Sequence, residues 1–346
     1  MQPPSRRSFL ALGLLLTAGG ALTACTDTHD PSPASPAGDH DRPDPDAPVR
    51  LRAVAATDTL LAGYDAVLPQ SAQLQALRED VARHRAALAG HLPGGSPSGT
   101  PGGSSSPGGT ASGSPTPGGT TTGTTASAPP VTTPAALASL ERQTAQARLA
   151  DLGAASPTLA RLLASVSAAG VLHAVALGAA APAAAPAPSP SAGGPATPFQ
   201  DALSAEHAAV YGYGVVGARL PDDQQRADAR TALAAHQARR DAWQRLLAGT
   251  GATPTAAAAG YQLPFPVTDA ASAARLAAHL ETRLTTVYAG LVAAVTPAQR
   301  PLAADALRES ALRAQRWGAA PTPFPGLPAP VDTPAPAPTP TPTPTP

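Results

Sequence analysis

Several carboxylates and imidazoles fall on helical stripes that are otherwise apolar. Leu203, Glu206, Val210, Tyr213 and Gly217 recur at helical spacing, so Glu206 turns with the apolar side chains. His236 lies on the stripe of Leu233 and Trp243, Glu281 comes one turn before Leu284 and Tyr288, and Glu309 sits between Leu302 and Leu312. Upstream, Asp58, His84, Glu141 and His173 occupy comparable places. Burying a lone carboxylate is costly unless it is paired or bound to metal. Two chemistries follow. One is a buried network in which Glu206, Glu281 and Glu309 pair with His236, Arg240 or Arg313, and no cofactor is bound. The alternative is a single iron or manganese ion held by Glu206, His236, Glu281 and Glu309, with a counterpart site at Asp58, His84, Glu141 and His173. His207 and His279 fall off the stripes and read as solvated, while Tyr211, Tyr213 and Tyr288 read as core or rim aromatics.

The elements that must position these groups are helices. Downstream of residue 198, four apolar stripes are separated by breaks at Pro221-Asp222-Asp223, Gly249 to Pro266 and Thr296-Pro297. Mostly short connections make an antiparallel bundle, and the one long connection suits a crossover between its second and third helices. The upstream region repeats the pattern. Leu51, Val54, Leu61 and Leu68 form one stripe, and Leu74, Leu77, Val81 and Leu88 a second. Leu137 and Leu140 open a third, and Leu159, Leu162, Val166 and Leu177 a fourth. The last two helices of the units align at an offset of 140, with Leu140-Glu141 on Leu280-Glu281 and Pro157 on Pro297. A duplication is the expectation, with fold class all-α.

Composition divides the chain further. Its 43 Pro and 31 Gly are concentrated in tracts that cannot bury enough apolar surface to offset the entropy of ordering. Residues 26–48 read as a tether, 93–134 as a disordered Gly/Ser/Thr/Pro insertion within a helical unit spanning 49–178, 179–198 as a linker, and 328–346 as a Thr/Pro tail.

The N-terminus carries a separate message. Ser5-Arg6-Arg7-Ser8-Phe9-Leu10 matches the twin-arginine export pattern, read through Arg6 and Arg7. A short, Gly-interrupted apolar stretch follows and ends Leu22-Thr23-Ala24-Cys25, which resembles a bacterial lipobox. Residues 1–25 are therefore expected to be a signal peptide, with Cys25 the lipidated first mature residue. The protein is expected on the outer face of the cytoplasmic membrane, held in membrane lipid by acyl chains that contribute about 0.8 kcal/mol per buried CH₂. No later apolar run reads as both long and uninterrupted enough to span a bilayer. The 23 basic and 23 acidic residues cancel, which leaves no basic field for nucleic acid. The single cysteine excludes an intramolecular disulfide. No nucleophile elbow or phosphate-cradling loop is present, so the chain reads more readily as a structural or binding module than as an enzyme.

The segment Phe199 to Leu327 resembles an actinobacterial ferritin-like domain family of unknown function, the domain-of-unknown-function 4439 type found in Tat-exported lipoproteins. The residues that carry the resemblance are Ala205-Glu206-His207-Ala208-Ala209-Val210-Tyr211-Gly212-Tyr213-Gly214, Tyr261-Gln262-Leu263-Pro264, Trp317-Gly318 and Phe324-Pro325-Gly326-Leu327. The resemblance implies a ferritin-like four-helix bundle over 199–327, with the Trp317 to Leu327 segment packing across it, and it implies no activity. Ferritin-like di-metal centres use one Glu from each of two helices and Glu-x-x-His from each of the other two. Glu206 and Glu281 match the single-Glu positions. The pairs are incomplete: Leu233-x-x-His236, Glu309-x-x-Leu312, Val81-x-x-His84 and Gly170-x-x-His173 each lack a ligand. The expected outcome is a degenerate bundle, with a metal-binding oxidase or metal store as the alternative.

Overall fold

Prolines open several of the helices. Pro48, Pro134 and Pro157 each stand in a first helical turn, where the missing N–H has no intrahelical partner to lose. The computed structural model describes residues 44–90, 131–183 and 196–328. The expected signal peptide with Arg6, Arg7 and Cys25, and most of the expected tether, insertion, linker and tail, lie outside them.

The first unit comprises α1 (Ala47–Ala66), α2 (Ala72–Ala89), α3 (Pro134–Ala150) and α4 (Pro157–Ala176). The second comprises α5 (Ala196–Gly217), α6 (Asp223–Gly249), α7 (Ala270–Ala294) and α8 (Arg300–Arg316). Short 3₁₀ turns at Asp151–Gly153 and Pro297–Gln299 each stand between the third and fourth helices of their unit. No strand occurs among the described residues, so the fold is all-α. Side-chain caps fix several starts. Ser71, Thr133, Ser156 and Asp222 each accept a backbone N–H, and Asp269 and Ser272 form a reciprocal capping box at α7.

Two starts lie earlier than composition suggested. Helix α1 begins inside the expected tether, and α5 inside the expected linker. Asp46 is buried, and its carboxylate accepts from the Ser156 N–H at 2.7 Å, tying α1 to the start of α4.

Within each unit the helices pair alike: α1 with α2, α3 with α4 and α1 with α3, then α5 with α6, α7 with α8 and α5 with α7. Helix α4 also packs on α7 and α8, so the described residues from Asp44 onward form one compact body. By length and composition alone α4 would cross a membrane, but it is mostly buried in this body. Uniform apolarity here suits a helix enclosed on all sides.

The stripe expected for α1 is displaced. Leu51 is 58% exposed and Leu68 73%, while Val49, Ala53, Thr57, Leu60 and Tyr64 face inward. Small residues set this register. A Cβ on Gly63 would lie 3.2 Å from Leu137 and 3.3 Å from Leu140. In the second unit, a Cβ on Gly212 would meet Leu280 at 2.5 Å. The same glycine-on-leucine crossing thus recurs at residues related by the repeat.

After α8 the chain runs back over the body as a strap. Ser165 donates to the Pro325 carbonyl at 2.8 Å, and Phe324 stands edge-on to His84 at 5.3 Å. Gly326 has φ +79°, and a Cβ there would lie 2.3 Å from the Thr285 carbonyl oxygen, so only glycine fits. The strap therefore crosses α7 and also docks on the first unit.

Candidate functional site: two buried polar cores

In the second unit, α5, α6 and α7 deliver Glu206, His236 and Glu281 to one fully buried chain of hydrogen bonds. His236 Nδ1 donates to Glu206 Oε2 at 2.8 Å, and its Nε2 donates to Glu281 Oε1 at 3.0 Å. A ring that donates from both nitrogens is an imidazolium. Burial opposes that charge, but the flanking carboxylates of Glu206 and Glu281 outweigh it and lift His236 to about 9. Tyr288 donates to Glu206 Oε1. Glu281 Oε1 also accepts from Tyr213 OH at 2.7 Å and from Arg313 Nε at 2.7 Å. Burial would raise the Glu281 pKa, yet Arg313 and then His236 hold it down to about 2. Glu309 turns to Arg239, whose Nη2 donates to it at 2.7 Å, with Arg313 Nη1 a further 3.6 Å contact. Three carboxylates thus face three protein cations: His236, Arg239 and Arg313.

The expected partner Arg240 lies outside this core and pairs with its neighbour Asp241. Arg239, one residue away, points inward instead, because one helical step rotates a side chain by about 100°. His207 is buried rather than solvated, its Nε2 donating to the Thr255 carbonyl at 3.1 Å. The long connection between α6 and α7 covers a face that the periodicity of α5 assigns to water. Tyr213 and Tyr288 are core residues whose hydroxyls hold the two acids, and Tyr211 is an exposed rim residue.

The first unit holds the counterpart. Glu141 stands where Glu281 does, accepting from Tyr64 OH at 2.7 Å and from His173 Nδ1 at 3.0 Å. Tyr64 takes the place of Tyr213, and His173 that of Arg313. Asp58 does not join. It is exposed and pairs with Arg85 across the surface. Thr57 replaces it, at the place of Glu206, and accepts from Arg148 Nη2 at 2.9 Å. Arg148 occupies the position of Tyr288, so an acid–tyrosine pair in one unit corresponds to a threonine–arginine pair in the other. Burial lowers the Arg148 guanidinium to about 10. His84 stacks on His173 with ring centroids 5.7 Å apart and donates from Nε2 to the Pro323 carbonyl of the strap at 2.6 Å. Burial, then the charges of His173 and Arg148, push His84 well below the usual histidine range.

These donor sets do not fit a metal. A histidine ligand offers a lone pair to the ion, whereas both nitrogens of His236 carry protons toward carboxylates. Guanidinium groups stand against Glu281 and Glu309, where a cation would need to be. Glu309 is directed at Arg239 and away from the Glu206–His236–Glu281 chain. In the first unit, a Cβ on Gly170 would lie 3.1 Å from Glu141 Oε2, so the room a Glu-x-x-His motif needs is filled. Among the described residues, no group of three or more His, Cys, Asp or Glu is disposed to hold a metal ion.

No curated protein matches the chain. Among solved structures, a conserved hypothetical protein from Mycobacterium tuberculosis is 43% identical over a match that covers 35% of this chain and 92% of that one, with a TM-score of 0.34. Residues 198–329 match the family described as Domain of unknown function (DUF4439), which begins at α5 and ends with the strap. Through its second unit and strap, the chain belongs to this DUF4439 family.

Proposed function

We propose that the protein is a lipid-anchored binding module outside the cytoplasmic membrane, built on a degenerate ferritin-like bundle whose polar core is structural. The observation that carries this reading is the charge matching around Glu206, Glu281 and Glu309, where His236, Arg239 and Arg313 stand in for any metal. Each of the three acids stands against at least one of these cations. The anchoring half of the reading rests on Arg6-Arg7 and on Cys25. It is tested by fractionating cells that express the full chain. The native sequence is expected in the membrane fraction, and Cys25→Ser in the soluble extracytoplasmic fraction. An Arg6→Lys, Arg7→Lys double variant should accumulate unprocessed inside the cell. Retention of Cys25→Ser in the membrane would refute a lipid anchor at that residue.

A further inference from the structure

Between the two units, beneath the strap, lies a cavity of about 320 Å³. This is near the lower end of the range typical of small-molecule sites, about 300–1,000 Å³. Its walls are largely alanine, leucine and proline side chains from α2, α4, α8 and the strap, with two threonines of α7 and scattered polar groups on every side. Asp80 is the one formally charged residue on its lining, histidine aside. Its side chain is only 15% exposed; Oδ1 accepts from Arg83 Nη1 at 2.6 Å, and Oδ2 faces His173 Nε2 at 3.8 Å. The Glu141 carboxylate accepts from His173 Nδ1 at 3.0 Å, which turns Nε2 toward Asp80. The gap between Nε2 and Asp80 Oδ2 is too long for a hydrogen bond, and a cationic donor placed from the cavity side reaches Oδ2.

We propose that this cavity is a binding site for a small amine with an apolar body, its ammonium group set between Asp80 and His173. The ammonium supplies a positive charge and several N–H donors to the Asp80 carboxylate. The apolar body fills the alanine- and proline-lined remainder. The proposal rests on the reading of the chain as a binding module and names the ligand class.

The test is calorimetric titration of the full chain with cyclohexylamine, and with cyclohexanol and cyclohexanecarboxylate as probes of the same shape. The expected result is saturable amine binding at least tenfold tighter than that of the alcohol, with no binding of the acid. Asp80→Asn should weaken amine binding at least tenfold while melting as the native chain does. Ala176→Phe, which fills the cavity, should abolish binding of every probe. Equal binding of amine and alcohol, no saturable binding to the folded native chain, or an unchanged affinity in a folded Asp80→Asn chain would each overturn the proposal. These readouts are independent of membrane fractionation and metal content, so failure here is distinguishable from failure of the anchored-module reading.

Discussion

Replacing Glu281 by alanine is expected to destabilise the protein by about 3–5 kcal/mol, the usual cost of breaking a buried ion pair from one side. Its Oε1 accepts from His236, Tyr213 and Arg313 together, and the residue is fully buried. Truncation leaves an imidazolium, a guanidinium and a phenol without their shared acceptor, and the imidazolium and the phenol are fully buried. At roughly 2–4 °C per kcal/mol for a domain of this size, the melting temperature should fall by roughly 10 °C, read by calorimetry or circular dichroism. Asp58→Ala is the matched control. That acid pairs with Arg85 on the surface, with about half of each side chain exposed, and its loss should cost under about 1 kcal/mol. Similar costs for the two variants would mean that the buried network is not what holds the bundle.

The same network sets a pH window. His236 is raised from its ordinary 6.5 to about 9. Its contribution is therefore fully present below pH 6.5 and is lost as pH rises through 9. Glu281 is lowered from 4.5 to about 2. Its contribution is present above pH 4.5 and is lost as pH falls through 2. The joint contribution of His236 and Glu281 should therefore be greatest between about pH 4.5 and 6.5 and decline on both sides, each limb on the order of 3 kcal/mol, while His84, held neutral by burial, adds a separate loss of stability as pH falls below 6.5. Urea unfolding across the range measures this. A His236→Gln chain, less stable throughout, should lose the alkaline limb and keep the acid one.

Much of this arrangement was legible in the sequence, and what was not has particular causes. The stripes of α5 to α8 and the inward turn of Glu206, His236, Glu281 and Glu309 follow from bulky apolar residues at helical spacing. In α1 that signal misleads. The crossing is made by Ala53 and Gly63, which allow close approach, while Leu51 and Leu68 lie outside. The shift by one residue exchanged Thr57 for Asp58. The arginines were harder still, since Arg148 and Arg239 carry long stems that pack in an apolar core while their heads find oxygen partners. Periodicity marks such positions, but composition assigns arginine to the surface. The one available signal is spacing: Arg239 and Arg313 fall three and four residues after His236 and Glu309, each on the same helical face as the earlier residue.

The repeat clarifies how the two cores diverge. Tyr64 with Glu141 and Tyr213 with Glu281 keep the same hydrogen bond at 2.7 Å in both units. Around that fixed pair, the second unit closes with guanidinium groups, and the first with two stacked histidines, one of which holds the strap.

The most direct test of the central claim is metal analysis, combined with melting curves, of the full chain purified without chelator from cells supplied with iron and manganese. Self-neutralised acids predict substoichiometric metal and a melting temperature that chelator does not move. One equivalent of iron or manganese, lost on Glu206→Ala together with a chelator-sensitive part of the stability, would contradict the account.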